Sequence, residues 1–384
     1  MSISGTLLGT SLLPPVWAGF KGVKTPSGHV GIDLTVSEDM NVWGVVTGGG
    51  WPYGRNTYVW REGAWFTLPV KGTLCQVSLD GNTAVVHVPD DKVYYIGPSS
   101  LYRFEWNGVT YAQVAYVPSV PAEANAVMYA YHKPMRGSAD CKLAIRIDGA
   151  NLGIYEWGGT AYAKVADVSP SDGVAATPNA KAEFSLSGDG KVLVGVIRRE
   201  YPYYSSYVKR WSIADDGSVT YAGHLYYTGS PAMSATDGGT WPYGGISVSF
   251  DGSVVTGGMP RAQNELGRVS LFRWDGSKYV TAHDRYPPQV VNTPRLGNFV
   301  ALTRDGSKCF SGASGNSNGV VYRHDSLTDP AMDYWYWALG GYGYSGSHAS
   351  EPTYVAGYGM AVACTPDGRS FIASGGDEIL PRWA

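Results

Sequence analysis

The sequence predicts an all-β chain: a seven-bladed β-propeller of four-stranded antiparallel blades, closed three-plus-one by pairing of an N-terminal strand with the C-terminal blade. Three observations carry that expectation. A Ser/Thr-x-Asp motif recurs seven times, a second motif of aromatic residues and glycine follows it in the first six repeats, and the chain stops on an incomplete repeat. Self-similarity at a period of tens of residues is the mark of a repeat architecture.

The first motif reads Ser37-Glu38-Asp39, Ser78-Leu79-Asp80-Gly81, Ser138-Ala139-Asp140, Ser187-Gly188-Asp189-Gly190, Ser249-Phe250-Asp251-Gly252, Thr303-Arg304-Asp305-Gly306 and Thr365-Pro366-Asp367-Gly368. Its aspartates are 41, 60, 49, 62, 54 and 62 residues apart, the length of a four-stranded blade with loops of unequal size. Asp accepts hydrogen bonds from the turn backbone, Gly takes the left-handed conformation and the hydroxyl ties strand to turn. Seven such carboxylates are therefore read as turn chemistry and not as a metal or catalytic ring.

The second motif pairs an apolar strand with a glycine turn and a further aromatic. Examples are Phe104-Glu105-Trp106-Asn107-Gly108 with Tyr111, Tyr155-Glu156-Trp157-Gly158-Gly159 with Tyr162, and Phe272-Arg273-Trp274-Asp275-Gly276 with Tyr279. Two hairpins per repeat follow, since Asp-Gly and Asn-Gly suit tight hairpin turns. The last repeat runs through Ser370-Phe371-Ile372-Ala373 to Pro381-Arg382-Trp383-Ala384 and lacks a fourth strand. Blade seven is therefore expected to take three strands from about residues 358–384 and its outer strand from residues 1–8. Residues 1–384 then form a single domain.

The final repeat, with its Ser/Thr-Pro-Asp-Gly turn, small-residue strand and terminal Arg-Trp, resembles the WD-repeat class of propellers. The resemblance implies the fold; the Gly-His and Trp-Asp dipeptides of the stricter family are largely missing, so a hub role for protein partners does not carry over intact.

If strands run a to d from centre to rim, both Asp-Gly-type motifs fall on one face, which is expected to be tight and uniform. Irregular aromatic segments fall on the other: Trp51 and Tyr53 in the b–c loop of blade one, Tyr201, Tyr203 and Tyr204 in that of blade four, Trp241 and Tyr243 entering blade five, and Tyr342 and Tyr344 leading into blade seven. Loops on a rigid scaffold commonly carry binding residues, and Tyr and Trp suit protein interfaces and sugar stacking alike. These nine are the predicted binding residues. Tyr334-Trp335-Tyr336-Trp337 alternates like an outer strand of blade six.

Charged residues are 16% of the chain and the net charge is −3, so nucleic acid is not an expected partner. No apolar run approaches membrane-spanning length, and the first basic residue, Lys21, comes too late for the charged start of a secretory signal. The chain is expected to be made in the cytoplasm, with no membrane insertion. Cys75, Cys141, Cys309 and Cys364 fall in four repeats without metal-ligand spacing and are read as free thiols.

An enzyme finds little footing. The seven histidines are scattered, no G-x-S-x-G elbow occurs, and no catalytic residue, metal or cofactor is predicted. Ser37-Glu38-Asp39-Met40-Asn41-Val42-Trp43 matches a sialidase-type Asp-box only in part, and Asp33, Glu123, Glu183, Glu265 and Arg261 single out no pair. The expected function is a non-enzymatic binding or structural propeller whose aromatic face meets a protein subunit or a surface glycan, with homo-oligomers compatible. Low charge with high Gly, Ser, Thr and Tyr resembles virion proteins of tailed bacteriophages, which implies a capsid, tail or fibre decoration or host-attachment role. The alternative is a carbohydrate-active propeller, a lectin or a sialidase-like glycoside hydrolase.

Overall fold

A computed structural model of the chain describes residues 22–28, 30–49, 54–89, 99–119, 136–148, 151–170, 172, 180–199, 206–227, 245–259, 267–285, 296–313, 320–325, 334–338, 361–375 and 378–383. Within them the secondary structure is strand and turn, with no helix, and the strands group into seven antiparallel sheets. Successive sheets touch around a closed ring.

Blade 1 holds β2 (Val30–Val36), β3 (Val42–Gly49), β4 (Gly54–Arg61) and β5 (Ala64–Leu68), hydrogen-bonded in that order from centre to rim. Blade 2 repeats the order with β6 (Leu74–Val77), β7 (Thr83–Pro89), β8 (Ser99–Trp106) and β9 (Tyr111–Val117). Blade 3 shows three strands among the described residues, β10 (Leu143–Asp148), β11 (Asn151–Trp157) and β12 (Tyr162–Val168), and Arg136 bridges Ser185 of blade 4 ahead of them. Blade 4 is β13 (Ala180–Leu186), β14 (Val192–Arg199), β15 (Ser206–Ile213) and β16 (Val219–Tyr227), and blade 5 is β17 (Ile246–Val248), β18 (Val254–Met259), β19 (Arg268–Trp274) and β20 (Tyr279–Arg285). Blade 6 is β21 (Leu296–Leu302), β22 (Lys308–Ala313), β23 (Val320–Asp325) and β24 (Tyr334–Ala338), so the Tyr-Trp-Tyr-Trp run is an outer strand as expected.

Blade 7 combines β25 (Val362–Cys364), β26 (Ser370–Gly375) and β27 (Glu378–Trp383) with β1 (Val23–Lys24), which pairs Val23 with Ile379 and Lys24 with Glu378. Closure is three-plus-one, as the incomplete last repeat implied. The outer place belongs to Val23–Lys24, further along the chain than the expected residues 1–8, which lie outside the described residues. The link from Lys24 to Val30 explains this register. It must cross three strand spacings of about 4.8 Å from rim to centre, and six residue steps of about 3.3 Å suffice.

Each second strand is buried on both faces and uses the period of two to stitch neighbours together. In β3, Trp43 and Val45 join Leu34, Trp60, Ala361, Ile372 and Ile379 between blades 7 and 1, while Val42 and Val46 join Cys75, Val77 and Phe104 between blades 1 and 2. In β14, Leu193 packs with Ile145 and Phe184 toward blade 3, and Val192, Val194 and Val196 pack with Val255 and Phe272 toward blade 5. Each such side chain, fully buried, contributes about 1.5–3 kcal/mol, so the ring is held mainly by these inter-blade layers.

The seven Ser/Thr-x-Asp motifs form one turn, repeated. The hydroxyl donates to its own aspartate Oδ1, at distances from 2.5 to 2.8 Å, and each aspartate Oδ1 accepts the backbone N–H two residues on. The residue after the aspartate is left-handed every time, including Met40 (φ 65°) and Cys141 (φ 57°), where the sequence has no glycine. Burial of both side chains, 4% and 1% exposed, offsets the strain of that backbone.

The second motif is a latch between blades. Arg103 of blade 2 donates to the Cys141 carbonyl (2.7 Å) and the Tyr162 hydroxyl (3.1 Å) of blade 3, its guanidinium 4.4 Å over Trp157, and Tyr162 donates to the same carbonyl (2.8 Å). Arg210 repeats this on Gly252, Tyr279 and Trp274 of blade 5, and Arg61 on Gly81, Tyr111 and Trp106 of blade 2. Tyr111, Tyr162 and Tyr279, each following a glycine turn, thus seat the previous blade's arginine.

Candidate functional site

The inner strands would present unpaired backbone edges to the axis, a liability that side chains from the preceding blade remove. Thr35 Oγ1 donates to the Cys75 carbonyl and accepts from the Val77 N–H, the Gln76 amide brackets Gly137, and Ser247 Oγ accepts from the Leu302 N–H. Asp33, 2% exposed, accepts from the Cys75 N–H and pairs with Arg136 at 3.1 Å.

At the turn face, the residues between Ser/Thr and Asp, with Asp189 itself as the donor in blade 4, are joined by a belt of backbone hydrogen bonds of 2.7–3.0 Å. Glu38 donates to Leu79, Leu79 to Ala139, Ala139 to Gly188, Asp189 to Phe250, Phe250 to Arg304 and Arg304 to Pro366. The belt passes through every blade and stops at one seam. The seventh link would need an N–H on Pro366 aimed at the Glu38 carbonyl, and proline has none. Among the described residues nothing donates to that carbonyl.

A depression of about 530 Å³ opens at this seam, lined by Glu38, Phe250, Asp251, Arg304, Asp305, Pro366 and Asp367. Phe250 lies across the neighbouring turn: a Cβ on Gly188 would come within 2.2 Å of its ring, so glycine is required there. The Arg304 guanidinium covers the Phe250 ring at 3.9 Å and approaches Glu38 Oε1 at 4.0 Å. Four carboxylates and one arginine leave the lining acidic.

Partial burial works against the charge on Asp39, Asp80, Asp251, Asp305 and Asp367, but backbone and hydroxyl hydrogen bonds prevail and hold all five below the usual carboxylate range. Their second oxygens differ by blade. Asp39 and Asp80 give Oδ2 to the amides of Asn41 and Asn82. In blades 5 and 6 a serine replaces that asparagine; its hydroxyl returns to Oδ1, and no described group donates to Oδ2 of Asp251 or Asp305.

Elsewhere two buried cations are held by the architecture. Arg146 reaches the carbonyls of Ser99 and Pro118, pairs with Asp148 at 2.7 Å and stacks on Tyr155. Lys209 donates to the carbonyls of Pro170 and Asp172. Burial pushes all four thiols up, and they are free as expected. Among the described residues no group of His, Cys, Asp and Glu could hold a metal ion.

The nine predicted binding residues, Trp51, Tyr53, Tyr201, Tyr203, Tyr204, Trp241, Tyr243, Tyr342 and Tyr344, lie outside the described residues. So do Glu123, Arg261 and Glu265. In chain order their segments fall between β3 and β4, between β14 and β15, between β16 and β17, and between β24 and β25. The pocket-lining residues Glu38, Phe250, Arg304 and Pro366 escaped the sequence reading. Their shared signal is their place as the variable residue of the repeated motif, which the expectation of a uniform turn face passed over.

No family model and no curated protein matches the chain. Solved structures do. A chain of the Kuenenia stuttgartiensis hydrazine synthase aligns over 99% of both chains at 14% identity and a TM-score of 0.60. The β-propeller domain of Myceliophteria thermophila Cps50 (Swd1) aligns over 94% of this chain and 97% of that one, at 10% identity and a TM-score of 0.55. At such identities the likeness speaks for the fold alone, and with the seven sheets it establishes this chain as a seven-bladed β-propeller.

Proposed function

We propose that this propeller is a non-enzymatic binding or structural module, a rigid ring that presents its loops and its axial opening to a protein partner. A propeller fits a binding or structural role. The observation that carries the non-enzymatic reading is the employment of the repeated carboxylates: each holds its own turn through Oδ1, and five are kept as charged acceptors, unsuited to donating a proton. Incorporation in a virion and glycan contact through Trp51, Tyr53, Trp241 and Tyr243 are the finer expectations; composition alone supports the first, and the comparisons add nothing to it.

The test is a glycan array run beside an incubation of the same glycans with the protein, scored for newly released reducing ends. No release is expected, and released ends would overturn the non-enzymatic reading. Alanine at Trp51, Tyr53, Trp241 and Tyr243 together is expected to abolish partner or glycan binding with the melting temperature retained; unchanged binding would remove the aromatic segments from the proposal.

A further inference from the structure

Six links of the belt bind the turn face into one unit, and its single gap lies over the single seam where the ring's two ends meet. The 530 Å³ depression at that gap is of the size that ligand pockets occupy, about 300–1,000 Å³. Pro366 and the Arg304 guanidinium lying over Phe250 line it, and with them stand residues with acceptors in excess of donors: Glu38, whose carbonyl takes no described donor, and Asp251 and Asp305, whose Oδ2 take none. One occupant of the required kind is already present. The chain's own Arg304 guanidinium lies flat on Phe250 within 4.0 Å of Glu38, at the edge of the opening, and leaves the remaining acceptors unused.

We propose that the opening is a docking pocket for an arginine side chain carried on an exposed segment of a protein partner. Its guanidinium takes the Glu38 carbonyl that Pro366 leaves without a donor, together with the free carboxylate oxygens beside it. A planar cation with five N–H donors matches a carbonyl and several carboxylates, as a compact metal ion does not. The carboxylates are too dispersed to converge on a metal, in keeping with the absence of any such cluster among the described residues. The assignment rests on the binding-module reading and names the chemistry of its partner.

The experiment is fluorescence anisotropy on the full chain with a labelled short peptide bearing one central arginine among glycines and serines, and counterparts with lysine or glutamate there. Saturable binding is expected for arginine, weaker binding for lysine and none for glutamate. Asp251→Asn with Asp305→Asn keeps the turn-holding Oδ1 and removes the free charge, and about fivefold weaker binding is expected. Pro366→Ala supplies the missing N–H to the Glu38 carbonyl and is expected to weaken binding severalfold without loss of stability. Asp189→Asn, the same turn change outside the pocket, is expected to leave binding unaltered. Absence of saturable binding, an equal loss in Asp189→Asn, or unchanged binding in Pro366→Ala each overturns the pocket. The module reading is judged apart from it, by the reducing-end assay and by the aromatic-segment variant.

Discussion

The latch between blades 2 and 3 makes a sharp energetic prediction. The Cys141 carbonyl is held by two donors, Arg103 Nη1 at 2.7 Å and the Tyr162 hydroxyl at 2.8 Å. Arg103→Met keeps most of the aliphatic volume and loses that bond, the 3.2 Å bond to Thr83 Oγ1 and the stacking on Trp157; its 2.9 Å pair with the more exposed Glu105 counts for little. With the recovered desolvation of the guanidinium set against them, these losses cost about 2–4 kcal/mol. An unfolding entropy near 2.1 cal/mol/K per residue over 384 residues converts each kcal/mol into about 1.2 °C, so a fall of about 3–5 °C is expected. Tyr162→Phe alone costs about 1–2 kcal/mol, because Arg103 still satisfies the carbonyl. The double variant strips both described donors from a buried acceptor, so its cost exceeds the sum of the two by about 1–2 kcal/mol. Urea unfolding followed by tryptophan fluorescence measures all four corners of the cycle. Strict additivity, or a double variant milder than the sum, would refute the shared-carbonyl reasoning.

Other expectations follow from the same geometry. Gly252→Ala places a Cβ 2.6 Å from Val192 Cβ at a left-handed φ of 70°, and about 2–4 kcal/mol of destabilisation is expected, against about 1–2 kcal/mol for Gly276→Ala, whose Cβ meets open space; equal melting temperatures would contradict the turn-packing account. His87 is buried, and burial first and the Arg146 charge second push it down to about 3. The unfolded chain then takes up a proton the folded ring refuses, so stability falls as pH drops below about 6.5, by up to about 1.4 kcal/mol per unit. His87→Gln is expected to flatten the melting curve between pH 6.5 and 4.5, and an unchanged slope would exclude His87 as its source. Below about pH 4 the lowered aspartates act in the same direction, their turn-holding contribution being present above the unfolded value and lost as they protonate. Removing residues through Lys24 strips β1 from blade 7, and hydrogen exchange is expected to quicken in β27 first; protection equal to the full chain would show that β1 does not hold the closure.

Legibility in the sequence followed the range of the interaction. Ser249, Asp251 and Gly252 sit within five residues of the strand they start, and the hydroxyl and carboxylate bonds that shape the turn stay inside that window, so their spacing declares a hairpin wherever the chain goes. Seven such declarations at blade-length intervals, with an incomplete last repeat, were enough for the propeller and its manner of closure. The strand that closes it was misplaced because Val23–Lys24 carries no turn signal of its own and is recruited by Ile379 from the far end of the chain. Arg103 and Tyr162 are 59 residues apart and meet only because blades stack, which is why the second motif looked like hairpin decoration. The candidate pocket was the least legible part. Glu38, Phe250, Arg304 and Pro366 share no chemistry, and each is the unconstrained residue of a local turn. Ring closure alone puts Pro366 beside Glu38 and turns a missing N–H into an open acceptor. The sequence by itself determined the unit and the number of its repeats, since local hydrogen bonding needs no distant partner. The tertiary structure decided which variable residues share the axis, since that depends on bringing residue 366 round to residue 38.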